Sequence, residues 1–260
     1  MDPIRQVYNY LDQQNIEEVK NFRKPSVRFR PSEMDDCPRK IFYRLGGNRP
    51  MAVPGKISLY GQDGDFCHDS VRWLMKNAGV ELDGLEFDEA TGNIKELVSF
   101  QKPWEHKGEK FVISGRADGL IKVGDEWMIL EIKSVDGMKW RYLNDAWQKG
   151  NLLEYLATGN QGKYRKYLVQ CEISMRVLGY EHVYLVFKDR SMCQIGCHND
   201  KTGEIAGVVL ERNDVLWEDI LGTMYMVNKS LRTNVAPMQL VEGSYQCGFC
   251  EFRDTCGRLK

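Results

Sequence analysis

No run of about 18 consecutive apolar residues occurs in this chain, so no transmembrane helix is expected. The opening Met1-Asp2-Pro3-Ile4-Arg5 lacks a basic region leading into an apolar run, so no secretory signal is expected either. Excess charge of one sign is also missing: 36 Lys and Arg stand against 37 Asp and Glu, for a formal net charge of −1. A protein that gripped nucleic acid with its whole surface would be basic, so any such contact must be a local patch. There is no repeat, no low-complexity tract and no linker that would split the chain. These absences point to a soluble cytoplasmic protein without a membrane partner.

What is present is a core-forming composition, 42% hydrophobic over 260 residues, and eight cysteines. In a reducing compartment eight cysteines are not read as a disulfide framework. Cys67 and Cys171 lie in amphipathic stretches and read as small buried hydrophobes. Cys193, Cys197 and His198 fall where a strand runs into a turn and are given no metal role. Cys37, Cys247, Cys250 and Cys256 remain to be explained.

Apolar spacing at Ile4, Val7, Tyr8, Leu11 and Ile16 predicts a helix over 4–22. Ser32-Glu33-Met34-Asp35 resembles a capping box, with a helix running to about Leu45 and stopping at Gly46-Gly47. A further helix is expected over 59–78, ended by Gly79. From 81 to 135 the texture changes to short β runs, at Leu97–Phe100, Lys110–Ile113, Leu120–Val123 and Trp127–Val135. Helical patterning returns over 142–158 and 161–178, strands over His182–Phe187, Met192–Cys197 and Ile205–Glu211, and a last helix over 214–231. The tail from Pro237 reads as irregular. Helices, then a central sheet with a crossover helix, then more strands, define an α+β (or α/β) domain.

The strongest chemical signal lies between Asp118 and Lys133. Strand alternation puts Met128, Leu130 and Ile132 on one face and Ile129, Glu131 and Lys133 on the other. Gly124-Asp125 suits a two-residue type II′ turn. Pairing outward sets Val123 against Glu126, Ile121 against Met128, and Asp118 against Glu131, with Cβ atoms expected about 4.5–5.5 Å apart. Two carboxylates that close repel unless a cation lies between them, and hard oxygen ligands suit Mg²⁺ or Mn²⁺. An isolated Glu-x-Lys is ordinarily a surface ion pair worth under about 1 kcal/mol. The opposed acid and the apolar flanks set this one apart.

Gly115-Arg116-Ala117-Asp118-Gly119, the hairpin and Glu131-Ile132-Lys133 resemble the catalytic core of the PD-(D/E)XK nuclease superfamily, in order and in spacing. The resemblance implies a restriction-endonuclease-like core, a central mixed sheet flanked by helices. It also implies Asp118, Glu131, Lys133 and Gln170 as catalytic residues and His68, Asp118, Glu131 and the Ile132 carbonyl as Mg²⁺ or Mn²⁺ ligands. His68 is the candidate on an earlier helix; its bland alternative is a satisfied core histidine. RecB-like members carry a Gln-x-x-x-Tyr element, of which Gln170-Cys171-Glu172-Ile173-Ser174 keeps the Gln and has Ser for Tyr.

Cys247-Gly248-Phe249-Cys250 followed by Cys256 gives Cys-x₂-Cys-x₅-Cys, and Cys37 in Cys37-Pro38-Arg39-Lys40 can supply a fourth thiolate. Spacing alone leaves Zn²⁺ and an iron–sulfur cluster open. The chain is similar here to AddB-like nucleases and to the RecB-like nuclease of CRISPR adaptation, which implies a [4Fe–4S] cluster on Cys37, Cys247, Cys250 and Cys256. One nuclease domain over 1–260 is expected, with 1–56 and 232–260 stapled around a 57–231 core. The resemblance further implies an exonuclease of replication, recombination or repair from a bacterial, archaeal or phage-infected cell, acting on single-stranded DNA or DNA ends beside a recombination or CRISPR adaptation protein. A non-catalytic DNA-binding subunit and an iron–sulfur electron carrier are the rival classes. Candidate DNA contacts are Arg28, Arg30, Lys40, Arg44 and Arg116, with Lys139, Trp140, Arg141 and Tyr142 after the catalytic strand: cations for phosphates, aromatics for bases.

Overall fold

The computed structural model describes residues 3–23, 26–88, 94–96, 98–191, 194–199, 201–238, 245–248 and 250–256. Helix α1 is Pro3–Lys20, α2 Pro38–Leu45 and α3 Gly55–Asn77. Short strands β1 (Leu82–Asp83), β2 (Leu85–Phe87) and β3 (Ile94–Glu96) lead into β4 (Ser99–His106), β5 (Glu109–Arg116), β6 (Gly119–Val123) and β7 (Glu126–Val135). Helices α4 (Gly137–Gln148), α5 (Leu152–Gly162) and α6 (Arg165–Leu178) follow, then β8 (His182–Asp189), β9 (Cys197–Asn199), β10 (Glu204–Ala206) and β11 (Val208–Glu211). Helix α7 (Asp214–Thr233) and the one-turn helices α8 (Tyr245–Gly248) and α9 (Arg253–Cys256) complete the order. Among the described residues no helix is long and apolar enough to cross a membrane.

The central sheet has the order β1-β6-β7-β8-β11. Its β7–β8 pair is parallel and the others are antiparallel. A parallel pair needs a crossover, and α4–α6 supply it, which makes the domain α+β with a mixed sheet flanked by helices. One sheet face, with Ile121, Met128, Leu130, Ile132 and Val186, packs on Val71 of α3. The other, with Ile129, Val135, Val183, Leu185 and Phe187, packs on Trp140, Leu143, Leu156, Cys171 and Met175 of α4–α6. Strand β7 is therefore apolar on both faces, as a central strand covered on both sides must be. A polar side chain placed on it is buried by the architecture.

Several local expectations need correction. The helix expected from Ser32 does not start there: Pro31–Glu33 is a single 3₁₀ turn, Cys37 is the N-cap and Pro38 the first helical residue. Proline fixes φ for that position and drives the residue before it out of the helical region, and Cys37 accordingly sits at φ −52°, ψ 125°. Strands β4 and β5 do not join the central sheet. They form their own hairpin, linked to Phe29 by a parallel bridge at Ile113, over a second core built from α2, α6 and α7. The crossover helix divides in two, since Gly150 (φ 71°) ends the α4 turn. The stretch over Ile205–Glu211 is two strands, and the tail carries α8 and α9. Met192 and Cys193 lie outside the described residues.

Candidate active site

The register places the first acid. Val123 pairs with Glu126 and Ile121 with Met128, as the two-residue turn requires. Gly124 has φ 62° and Asp125 no positive φ, which fits type II′. The ladder ends one step earlier than a simple extension predicts, at Gly119↔Leu130. Gly119 turns there at φ 151°, and a Cβ on it would meet the Leu85 side chain at 3.2 Å. Asp118 therefore leaves the ladder and replaces a missing backbone partner: its Oδ2 accepts from the Ile132 amide at 2.7 Å. The carboxylate is pinned against the β7 backbone, between Glu131 and Lys133.

Glu131 and Lys133 project toward α6 from the same face of β7. Lys133 Nζ donates to Glu131 Oε1 and, at 2.8 Å, to Gln170 Oε1. Gln170 Nε2 donates to Glu131 Oε1 at 2.8 Å, closing a ring of three side chains. The ammonium also lies 5.6 Å from the Tyr167 ring centroid. From α3, His68 Nδ1 lies 2.9 Å from Asp118 Oδ1, and Arg72 Nη2 donates to the same oxygen at 2.5 Å. Arg72 Nη1 reaches Asp69 Oδ1 at 2.9 Å. His68, Asp118, Glu131, Lys133 and Gln170 are thus brought together. Ser174 is buried one helical turn beyond Gln170, and its hydroxyl has no hydrogen-bond partner among the described residues.

Burial acts against both carboxylates, yet the two are driven apart. At Asp118 the hydrogen bond from His68 and the charges of His68, Arg72 and Lys133 outweigh burial, holding the group well below the usual carboxylate range. At Glu131 burial dominates and the Asp118 charge adds to it, so the pKa is raised despite Lys133. Burial alone would lower Lys133, but Glu131 and Asp118 raise it and keep the ammonium charged. Such divergence between adjacent acids is typical of sites that do chemistry.

Among the described residues no group of three or more His, Cys, Asp and Glu side chains stands ready around an ion. Cationic side chains already neutralise the carboxylates. The donor types nevertheless suit a hard divalent cation: two carboxylates, an imidazole and a strand carbonyl at Ile132. Glu131 Oε2 is buried with no hydrogen-bond partner among the described residues, an acceptor that costs free energy until something fills it.

The cysteine pattern is partly gathered. Cys37 at the start of α2 is close enough to Cys250 to add to the rise that burial imposes on the Cys250 thiol, while Lys40 opposes it. Arg39 Nη1 lies 3.9 Å from Cys256 Sγ. Met51 N–H donates to Glu251 O at 2.8 Å, and Tyr43 stacks at 6.1 Å on Phe252, which is fully buried. The N-terminal segment and the tail meet, at least 200 positions apart in sequence. Cys67 and Cys171 are buried, as expected of core residues, and Cys197 is buried as well. His198 uses Nε2 on the Ile195 carbonyl and packs its ring on Trp140.

The expected DNA contacts divide. Arg28, Arg30, Arg116, Arg141 and Tyr142 are exposed. Trp140 is not: Asp136 caps α4 through the Lys139 amide, which turns Trp140 into the core at 6% exposure, with its indole N–H on Gly196 O. Its ring is unavailable for stacking on a base. Arg44 is tied to Glu33 and the Arg28 carbonyl, and Lys40 to Asp36, so both cations are committed within the fold. Lys139 pairs with Asp136. Arg72 and Tyr167 were missed by sequence reasoning. Their only advance signal was spacing, Arg72 one turn after His68 and Tyr167 one turn before Gln170.

Fold and site together define an α+β domain in which two buried carboxylates, an amine and an amide meet beside one central strand. No protein-family model matches the sequence, and no curated protein matches it. In fold it is similar to the crystal structure of SSO0001, with a TM-score of 0.53 and 17% identity over 97% of this chain and 96% of that one. The crystal structure of an alkaline exonuclease (LHK-Exo) from Laribacter hongkongensis aligns more loosely, at TM-score 0.42 and 16% identity over 80% of this chain and 89% of that one. LHK-Exo in complex with dAMP gives 0.41 at the same identity and coverage.

Proposed function

We propose that this protein is a metal-dependent DNA nuclease, with Asp118, Glu131, His68 and the Ile132 carbonyl holding Mg²⁺ or Mn²⁺. The observation that carries the reading is the convergence of Asp118, Glu131, Lys133 and Gln170, with one Glu131 oxygen buried and unpartnered. A divalent cation bound there supplies Lewis-acid polarisation of a phosphate and a lowered pKa for water. Asp118, fixed by the Ile132 amide, keeps its ionised oxygens on one point. Lys133 stays protonated and presents positive charge where a phosphodiester gains negative charge during hydrolysis. Gln170 holds the Lys133 ammonium and Glu131 at a fixed separation, so that neither needs to reorganise. The exposed Arg141 and Tyr142 at the first turns of α4 suit a strand of DNA, by phosphate contact and base stacking.

We further propose that Cys37, Cys247, Cys250 and Cys256 bind a [4Fe–4S] cluster that ties the two ends of the chain together. The electrostatic influence of Cys37 on the Cys250 thiol and the approach of Arg39 to Cys256 support it.

The test of the nuclease reading is incubation of anaerobically purified protein with end-labelled single- and double-stranded DNA. Cleavage is expected with Mn²⁺ and none with a chelator; absence of cleavage on both substrates at any divalent ion would overturn it. Tyr142→Ala should weaken single-strand binding by about 1–3 kcal/mol with stability unchanged. Trp140→Ala, by contrast, should cost about 3–5 kcal/mol of stability in a urea titration, because it empties a core site.

A further inference from the structure

Arg72 is the largest of the fully buried side chains, at 2% exposure, on a helix face that also carries Val71 against the apolar underside of the sheet. A buried guanidinium is tolerated only when its charge is matched. Among the described residues it pairs with Asp118, itself buried, at 2.5 Å from Nη2, and with Asp69, whose side chain is half exposed, at 2.9 Å from Nη1. Asp118 Oδ1 is shared between Arg72 and His68, and Oδ2 is taken by the Ile132 amide. Any cation that approaches Oδ1 meets a resident positive charge and must compete with it. The planar fork of Arg presents two separate nitrogens to two acceptors at a fixed separation, which the single ammonium nitrogen of Lys does not. Arg72 therefore keeps a second anchor when it lets go of the first.

We propose that Arg72 is a built-in counter-ion that occupies the cation seat of Asp118 and yields it to an incoming divalent ion, with Asp69 receiving the released guanidinium. The inference rests on the metal-site reading above. It makes Arg72 and Asp69 positioning residues that set the affinity of the site, with no contact to substrate required. In the absence of metal, Arg72 offsets the repulsion between Asp118 and Glu131 and keeps Asp118 ionised and aimed, so the site does not have to assemble around the ion. The cost is weaker metal binding than the bare donor set would give.

The experiment is titration calorimetry of Mn²⁺ alone into the full-length protein at fixed pH and ionic strength, for wild type, Arg72→Gln, Asp69→Asn and the double variant. Removing the competing charge should tighten Mn²⁺ binding by about tenfold or more, equivalent to about 1.4 kcal/mol per tenfold. Asp69→Asn should weaken it several-fold, because the displaced guanidinium loses its second anchor. The decisive outcome is the coupling: in the Arg72→Gln background Asp69→Asn should have no effect. A through-space charge effect would persist in both backgrounds and would overturn the proposal, as would Arg72→Gln binding Mn²⁺ no more tightly than wild type. Should Arg72→Gln fail to fold, Arg72→Met takes its place, since it also removes the competing charge, and Asp69→Asn should be silent beside it. Wild-type protein that binds no Mn²⁺ defeats the metal reading itself, a result distinct from an absent coupling.

Discussion

Replacing Lys133 with alanine is expected to reduce metal-dependent DNA cleavage by about 10²–10³-fold, the usual cost of removing one preorganised donor from a site of developing charge. The amine sits where three other functional groups converge, with Glu131 and Gln170 as direct partners. Its loss does two things at once. It removes positive charge from the position a phosphate would take, and it leaves Glu131 buried beside ionised Asp118 without its paired ammonium. Glu131, already raised by burial and by Asp118, should then be raised further and lose value as a metal ligand. Glu131→Gln should therefore be nearly as damaging, and the double variant little worse than either, because groups that act as a unit do not contribute additively. The fold should survive: Glu131 can neutralise itself by taking a proton, and the packing of Leu130 and Ile132 on α3 is untouched. Single-turnover rates on end-labelled DNA, with circular dichroism as the check on folding, decide the matter. Undiminished cleavage by the alanine variant would remove Lys133 from the chemistry.

The part of this site legible in sequence was the part governed by short-range geometry. A two-residue turn after Val123 fixes a register, and the register carries Asp118 to the end of the same ladder as Glu131. What arithmetic could not supply was the break at Gly119, where backbone conformation rather than pairing decides that Asp118 turns in on the Ile132 amide. Gln170 was reached only through a resemblance, since nothing in helical periodicity distinguishes a glutamine aimed at a lysine from one aimed at solvent. Arg72 shows the opposite failure. Arginine on an amphipathic helix ordinarily marks the wet side, and only the approach of Asp118 from a distant strand turns that position inward. Trp140 follows the same logic: one cap at Asp136 rotates α4 so that the aromatic expected on the surface is the one in the core. The hairpin of β4 and β5 alternates like any sheet strand, and which sheet it joins depends on Phe29, about 70 residues earlier.

The second large effect is expected at the cysteines. Cys250→Ser should abolish the broad visible absorption of anaerobically purified protein and lower its melting temperature by roughly 10 °C or more. The magnitude follows from chain entropy. A link between Cys37 and the Cys247–Cys256 segment closes a loop of at least 210 positions, and on the chain-entropy formula for a cross-link a loop of that length is worth about 5 kcal/mol, which for a chain of this size is several degrees per kcal/mol. Local packing already joins the two segments through Tyr43, Phe252 and the Met51–Glu251 hydrogen bond, so the loss should loosen the ends without dissolving the sheet. Hydrogen exchange should quicken in α2 and α9 while β7 and β8 stay protected. Cys197→Ala is the internal control: Cys197 is more deeply buried than Cys250, its thiol is pushed up to about 12 by burial alone, and it lies in the core beside the sheet. It should lose packing energy and keep the chromophore. If the wild-type protein is colourless and carries one zinc per chain, the four thiolates hold a different metal. The stability loss in Cys250→Ser would then remain, because loop closure depends on the link and not on which metal makes it.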